Sequence, residues 1–107
     1  MTNTTETNLA GVKRSDDGVL SLDVTIQNKK GLHARASAKF VQCAEQFDAD
    51  IRVSKDGSDV AGTSIMGLMM LAAATGSIIH IKAGGSAAEE ALEALVSLVN
   101  RKFDEGE

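Results

Sequence analysis

The sequence predicts an α+β fold in which helices cover one face of an antiparallel sheet. Apolar residues alternate with polar ones in some segments and recur at helical spacing in others, and these segments follow the order βαββαβα. The chain has no series of parallel βαβ units and no glycine-rich nucleotide fingerprint. With 107 residues, it has room for one such domain.

The domain is predicted to span residues 19–107 and to follow a flexible tail. Residues 1–18 are rich in Thr, Asn, Ser, Asp and Gly and show no apolar periodicity, which is typical of a tail. The first strand has apolar residues at every second position, namely Leu20, Leu22, Val24 and Ile26. After a break at residues 28–31, helical spacing predicts a helix over 34–47 with the stripe Ala36, Phe40, Cys43, Ala44 and Phe47.

The second half of the chain supplies a hairpin, two helices and a strand. Ile51 and Val53 precede the Asp56-Gly57 pair and Val60 follows it, which predicts a tight hairpin. A short apolar helix over 64–71 and a strand over 77–83 come next. Residues 86–89 have the spacing of a capping box and open a long helix with the stripe Ala88, Leu92, Leu95, Val96, Val99 and Phe103. The acidic end, residues 104–107, is interpreted as a solubilising tail.

Composition argues against several classes of function. A formal charge of −4, with three Phe and no Trp or Tyr, does not suit nucleic-acid binding. Every apolar run is shorter than a membrane span and residues 1–6 do not resemble a signal peptide, so we expect a cytoplasmic protein. One Cys and two His favour neither a disulfide nor a metal site, and we expect no cofactor. Cys43 is predicted to be an unreactive core thiol, and His80 is assigned no chemistry.

His33 is the residue most suited to chemistry. It lies between Gly31 and the first helix, where free amide groups, the helix dipole and the nearby Arg35 would stabilise an anion. A cationic imidazole is disfavoured there, which leaves a neutral nucleophile that could carry a phosphoryl group. Taken alone, such a histidine is more often an ordinary surface residue, and an isolated arginine is usually a solvated charge.

The runs GLHAR at residues 31–35 and SIMGLMML at 64–71 resemble the HPr phosphocarrier family of the bacterial phosphotransferase system. The resemblance covers residues from about 20 to 103. It implies an open-faced β-sandwich, with three helices on a four-stranded antiparallel sheet. It also implies that His33 is phosphorylated on Nδ1 by enzyme I, with phosphoenolpyruvate as the original donor, and passes the group to an EIIA-type protein. Arg35 would stabilise the phosphoryl charge.

Ala36 departs from the family pattern, which usually has proline directly after the arginine. Alanine is a good helix former and adds an N–H donor, but it does not fix φ as proline does. The rate of transfer and the lifetime of the phosphohistidine are therefore open.

Ser64 is interpreted from the residues as the N-cap of the second helix. By resemblance, it aligns with a serine that HPr kinase/phosphorylase modifies in many members, which implies regulation. Six of the eight residues over 64–71 are apolar, so Ile65 and Met66 are predicted to face outward and dock partners. The alternative is that the whole segment is core.

We expect a monomeric carrier that is not an enzyme by itself, because the chain has no nucleotide or metal site of its own. The alternative is a small ferredoxin-like regulatory module that binds a ligand without phosphoryl transfer. The C-terminal run over 89–105 is similar to nitrogen-branch relatives of HPr, while Ser64 is compatible with regulation by the kinase. Sugar transport and nitrogen signalling both stay open.

Overall fold

The computed structural model describes residue 9 and residues 11–105. Its strands and helices are β1 (Lys13–Arg14), β2 (Leu20–Thr25), α1 (Ala34–Ala44), β3 (Asp50–Lys55), β4 (Ser58–Ala61), α2 (Ile65–Met70), β5 (Ile78–Gly84) and α3 (Ala88–Asn100). A short turn, Lys102–Asp104, follows α3. The predicted α+β class is confirmed, with helices packed on an antiparallel sheet.

The sheet has the strand order β1-β2-β5-β3-β4, and every neighbouring pair is antiparallel. It has one strand more than the four implied by the family resemblance. The extra strand is β1, whose Lys13 pairs with Ser21 and whose Arg14 pairs with Leu20. β1 lies within the segment predicted to be a flexible tail, while residues 1–8 and 10 of that segment lie outside the described residues. The described part therefore adds an edge strand to the sheet.

One face of the sheet forms the core with the helices. Along β2 and β5, buried side chains alternate with more exposed ones, as the period of two predicts. α3 packs against β2 and β5, and α1 packs against α2 and α3. The largest fully buried side chains include Phe40, Phe103, Leu20, Ile26, Leu68, Ile79, Ile81, Leu92 and Leu95. The helix layer that carries α1 and α2 is thus held against a continuous apolar surface.

The hairpin between β3 and β4 follows the sequence prediction. Lys55 pairs with Ser58, and the two residues between them have positive φ angles, 51° at Asp56 and 87° at Gly57. Such angles match the twist of the flanking strands, which is why an Asp-Gly pair is favoured there.

Three boundary predictions are wrong. α1 ends at Ala44 and not at Phe47, because the amides of Gln46 and Phe47 bond to carbonyls three residues back and tighten the chain into a turn. The capping box at residues 86–89 does not form, since the N-cap of α3 is Ala87 and the Ser86 hydroxyl donates to Asp48 Oδ2 at 2.9 Å. Phe103 is buried as predicted, but it follows α3 in the turn Lys102–Asp104.

Candidate functional site

His33 is the N-cap of α1. Its backbone is extended, and its ring Nδ1 accepts the backbone N–H of Arg35 at 3.3 Å. Its carbonyl oxygen accepts the N–H of Ser37 at 2.8 Å, which begins the helical hydrogen-bond pattern. The imidazole is therefore fixed at the mouth of the helix, where the first-turn amides have no partner within the helix.

The loop before His33 is anchored to the loop after α2. Gly31 has a φ of +68°, and a Cβ at this position would lie 2.3 Å from the carbonyl oxygen of Ala73. That same carbonyl accepts the N–H of Leu32 at 2.9 Å. The Thr75 hydroxyl donates to the Lys29 carbonyl at 2.9 Å. Glycine is required here both for the backbone angle and for the close approach of the two loops.

Glu105 meets the other edge of the imidazole. Its Oε2 is hydrogen-bonded to His33 Nε2, and its Oε1 accepts from Asn28 Nδ2 at 3.1 Å. The Glu105 side chain is 8% exposed and that of His33 is 27% exposed. The interpretation of the acidic end as a solubilising tail is therefore wrong for Glu105, which is part of the site.

The turn Lys102–Asp104 brings Glu105 to the histidine. All three of its residues have positive φ angles, between 54° and 59°, which reverse the chain after α3. Phe103 is fully buried, and its carbonyl oxygen accepts from Lys39 Nζ at 2.7 Å. Helical spacing predicts Phe103 on the apolar stripe of a continuous helix, whereas in the structure it lies in this turn. In the sequence, the large apolar Phe103 just before the acidic end indicates that this end is held near the core, but it does not show that the chain reverses.

A shallow depression opens beside the imidazole. It has a volume of about 410 Å³ and is lined by Lys30, His33, Ala34, Arg35 and Glu105. Arg35 is exposed and follows His33 by two residues, so its guanidinium can reach an anion bound over the start of the helix. The depression combines an imidazole nitrogen, first-turn amides and two cationic side chains, a set that suits a phosphoryl group.

The second region with a predicted function consists of Ser64, Ile65 and Met66, at the start of α2. Ser64 is its N-cap, and the Ser64 hydroxyl oxygen accepts the N–H of Gly67 at 2.9 Å. Ile65 is 40% exposed and Met66 is 69% exposed. The alternative that the whole segment is core is therefore wrong, since Leu68 is the buried residue of α2.

Two further methionines extend this exposed surface beyond what the sequence predicted. Met69 is 40% exposed and Met70 is 78% exposed. We call Ile65, Met66, Met69 and Met70 together the α2 surface. It borders the loop of residues 72–74, which packs on the Gly31 turn, so it belongs to the same end of the molecule as His33.

Cys43 and His80 lie elsewhere. Cys43 is half-buried and faces a cleft between α1 and α3. Burial raises the pKa of its thiol, and the charge of Arg101 opposes this only in part. His80 lies on β5 and its Nδ1 is hydrogen-bonded to Asp23 Oδ1 at 2.6 Å, on the sheet face that the helices leave open.

Within residue 9 and residues 11–105, no helix is both long and apolar enough to cross a membrane. Over the same residues, no group of three or more His, Cys, Asp or Glu side chains is arranged to hold a metal ion.

Comparison with known proteins identifies the family to which the sequence belongs. Residues 20–101 match the family profile described as "PTS HPr component phosphorylation site". The chain belongs to the HPr phosphocarrier family of the phosphotransferase system. The phosphocarrier protein HPr of Neisseria meningitidis serogroup A is 52% identical over 89 residues, which are 83% of this chain and 100% of that protein. HPr of Pseudomonas aeruginosa is 51% identical, covering 81% of this chain and 98% of its own.

Solved HPr structures share the fold. The crystal structure of HPr-C-His from Thermoanaerobacter tengcongensis has a TM-score of 0.78 at 44% identity and covers 81% of this chain and 98% of its own. The family membership of the chain takes the place of the ferredoxin-like alternative.

Proposed function

We propose that this HPr-family protein carries a phosphoryl group on Nδ1 of His33. Phosphorylated enzyme I, charged from phosphoenolpyruvate, would be the donor and an EIIA-type protein the acceptor. The observation that carries the proposal is the geometry of the imidazole, whose Nδ1 accepts the Arg35 N–H at the start of α1. When phosphorus is bonded to Nδ1, one of the phosphoryl oxygens would accept that N–H in its place and remain at the positive end of the helix dipole.

Arg35 supplies charge to the transferring group. During transfer, negative charge spreads over the three phosphoryl oxygens, and a planar guanidinium can contact two of them without exchanging a proton. Lys30 lines the same depression and adds a second positive charge. Both positive charges attract the phosphoryl group, during its transfer from enzyme I to His33 and during its transfer from His33 to the acceptor.

Ala36 gives the site a donor that the usual proline lacks. It occupies the third position of α1, so its N–H is one of the first-turn amides without a helical partner. We propose that this N–H adds to the anion site and compensates for the loss of the fixed proline φ angle.

The α2 surface is proposed to dock enzyme I and the EIIA-type acceptor, with Ile65 and Met66 at its centre. Methionine side chains are flexible and polarisable, so one surface can fit several partners in turn. A small apolar patch also allows each complex to dissociate quickly, as a carrier requires. We propose that the protein does this as a monomer in the cytoplasm.

Ser64 is proposed to be the site at which HPr kinase/phosphorylase regulates the carrier. A phosphate on its hydroxyl would add nearly two negative charges directly beside Ile65. That charge would oppose docking of enzyme I and so slow phosphorylation of His33.

The proposal is tested by incubating the full chain with enzyme I and labelled phosphoenolpyruvate. We expect one acid-labile label per chain, absent from His33→Ala and retained in the control His80→Ala. Mixing the labelled protein with each EIIA of the host would then identify the acceptor and the branch. A chain that stays unlabelled, or a His33→Ala variant that takes the label, would contradict the proposal.

A further inference from the structure

We infer that Glu105 is a positioning residue for His33, holding the proton on Nε2 so that Nδ1 faces the depression as the nucleophile. The consequence for transfer rates rests on the function proposed above. The arrangement of the ring does not, because it belongs to the unphosphorylated protein.

The hydrogen bonds around the ring assign its tautomer. Nδ1 accepts the N–H of Arg35, so Nδ1 carries no proton. The ring proton is then on Nε2, where it is donated to Glu105 Oε2. The two contacts lie on opposite edges of the imidazole and select the same tautomer. A lone pair is thereby directed toward the first-turn amides and Arg35.

The carboxylate is itself held in place. Asn28 is fully buried, and its Nδ2 donates both to Glu105 Oε1 at 3.1 Å and to the Gly31 carbonyl at 2.8 Å. A rotated amide would set its oxygen against two acceptors, so this orientation of Asn28 is fixed. Because Asn28 and Gly31 belong to the loop that precedes His33, the same loop orients the ring and its carboxylate.

The chain segment before Glu105 is a second anchor. Phe103 is buried in the core, and its carbonyl oxygen is bonded to Lys39. Three successive residues in the left-handed region cost free energy unless packing holds them. The effect of this turn is to place the Glu105 carboxylate against Nε2 of His33. A solvated tail would not require such a backbone.

Phosphorylation of Nδ1 needs no reactant besides the phosphoryl donor. As the Nδ1 lone pair forms the N–P bond, the bond from phosphorus to the donor breaks and its electron pair leaves with the donor. The ring becomes cationic while its proton stays on Nε2, and the Glu105 carboxylate stabilises that charge, as a carboxylate does for the imidazolium of a catalytic triad. When the phosphoryl group leaves, the N–P electron pair returns to Nδ1 and the neutral ring is restored.

The first test uses one-bond 1H–15N NMR spectra of the histidine side chains in the unphosphorylated full chain. We expect a slowly exchanging, downfield Nε2–H resonance of His33 in the wild type. It should persist with a smaller downfield shift in Glu105→Gln, whose amide oxygen can still accept, and disappear through exchange in Glu105→Ala. Glu90→Gln changes an exposed carboxylate of α3 and is the matched control, expected to equal the wild type. An unchanged resonance in Glu105→Ala would overturn the inference.

The second test measures transfer from phosphorylated protein to an EIIA-type acceptor by rapid quench. We expect the rate to fall about tenfold in Glu105→Ala, because a hydrogen bond to the charged ring is lost, and by a smaller factor in Glu105→Gln, with no change in Glu90→Gln. Equal rates in all four proteins would refute the role in transfer. A wild type that shows the resonance but takes no label would instead refute the proposed function alone.

Discussion

Lys39 Nζ donates a hydrogen bond of 2.7 Å to the carbonyl oxygen of Phe103, which ties the helix that begins at His33 to the segment that carries Glu105. Lys39→Met keeps the apolar stem and removes the donor. We expect its free energy of unfolding to fall by about 1 kcal/mol, since a hydrogen bond to a buried backbone acceptor is lost. Urea unfolding measures this. Lys82→Met, on the exposed side of β5, should leave stability unchanged, and an equal loss in both variants would contradict the role of Lys39.

Substitutions at Gly31 and Gly57 can distinguish the energetic cost of backbone strain from that of steric overlap. Both have positive φ angles, but a Cβ at Gly31 would lie 2.3 Å from the Ala73 carbonyl oxygen, whereas a Cβ at Gly57 meets nothing within 4 Å. We expect Gly57→Ala to lose about 1 kcal/mol of unfolding free energy from its φ angle alone. Gly31→Ala should lose about 3 kcal/mol, because the two loops must also separate. Thermal and urea unfolding measure both, and similar losses would show that the loop contact is weak.

Local patterns predicted the features that are local in the structure. His33 opens a helix, Asp56 and Gly57 turn a hairpin, and Met66 faces outward because each depends on neighbours within a few residues. The strand β1 was not predicted, since it consists of two charged residues without apolar alternation and is recruited by backbone hydrogen bonds to β2.

Glu105 is the part of the site that local sequence patterns do not reveal, because its position depends on tertiary structure. Glu105 is 72 residues away from His33 along the chain, and the two meet only because Phe103 leaves the helical path and enters the core. Helical spacing identified Phe103 as apolar, but it could not show that the chain reverses there. An acidic run after such a stripe has the composition of an ordinary solvated end, which is why its role was not visible.

The thiol of Cys43 should react slowly. Burial raises its pKa, so the reactive thiolate is a smaller fraction at pH 8 than in the unfolded chain. We expect iodoacetamide to alkylate the native protein more slowly than the protein in urea.

The same shift has a consequence for stability at alkaline pH. The raised pKa means that the folded protein binds the thiol proton more tightly than the unfolded chain does. The resulting contribution to the free energy of unfolding is complete at pH values below the pKa of the unfolded thiol, and it is lost as pH rises through the raised pKa of the folded thiol. Cys43→Ala should lack this alkaline loss when unfolding is followed from pH 7 to 10. A native alkylation rate equal to that in urea would contradict the burial of the thiol.

Docking by the α2 surface can be tested against a control, an exposed apolar side chain on the sheet face that the helices leave open. Met66 is 69% exposed on α2, and Ile78 is 58% exposed on the open face of β5. Both can be shortened with little effect on stability, because neither packs into the core. If the α2 surface docks enzyme I, Met66→Ala should raise the KM of this protein as a substrate of phosphorylated enzyme I about tenfold. Ile78→Ala should not change that KM. Steady-state phosphorylation assays measure this, and equal KM values in the two variants would exclude Met66 from docking.

Ser64 has a capping role and a proposed regulatory role that substitutions can separate. Ser64→Ala removes the acceptor for the Gly67 N–H and should lower the free energy of unfolding by about 1 kcal/mol. Ser64→Asp supplies another oxygen acceptor and a negative charge at the start of α2, so stability should stay close to that of the wild type.

The two variants should rank in the opposite order in phosphorylation assays. Ser64→Ala adds no charge next to Ile65 and should be phosphorylated on His33 at nearly the wild-type rate, whereas Ser64→Asp should be slowed because its charge opposes enzyme I docking. Thr63→Asp places the same charge one residue earlier on an exposed position and tests whether location matters. Initial rates at limiting enzyme I distinguish these cases. If Ser64→Asp matches Ser64→Ala in rate while keeping its greater stability, then charge at this N-cap does not regulate the carrier.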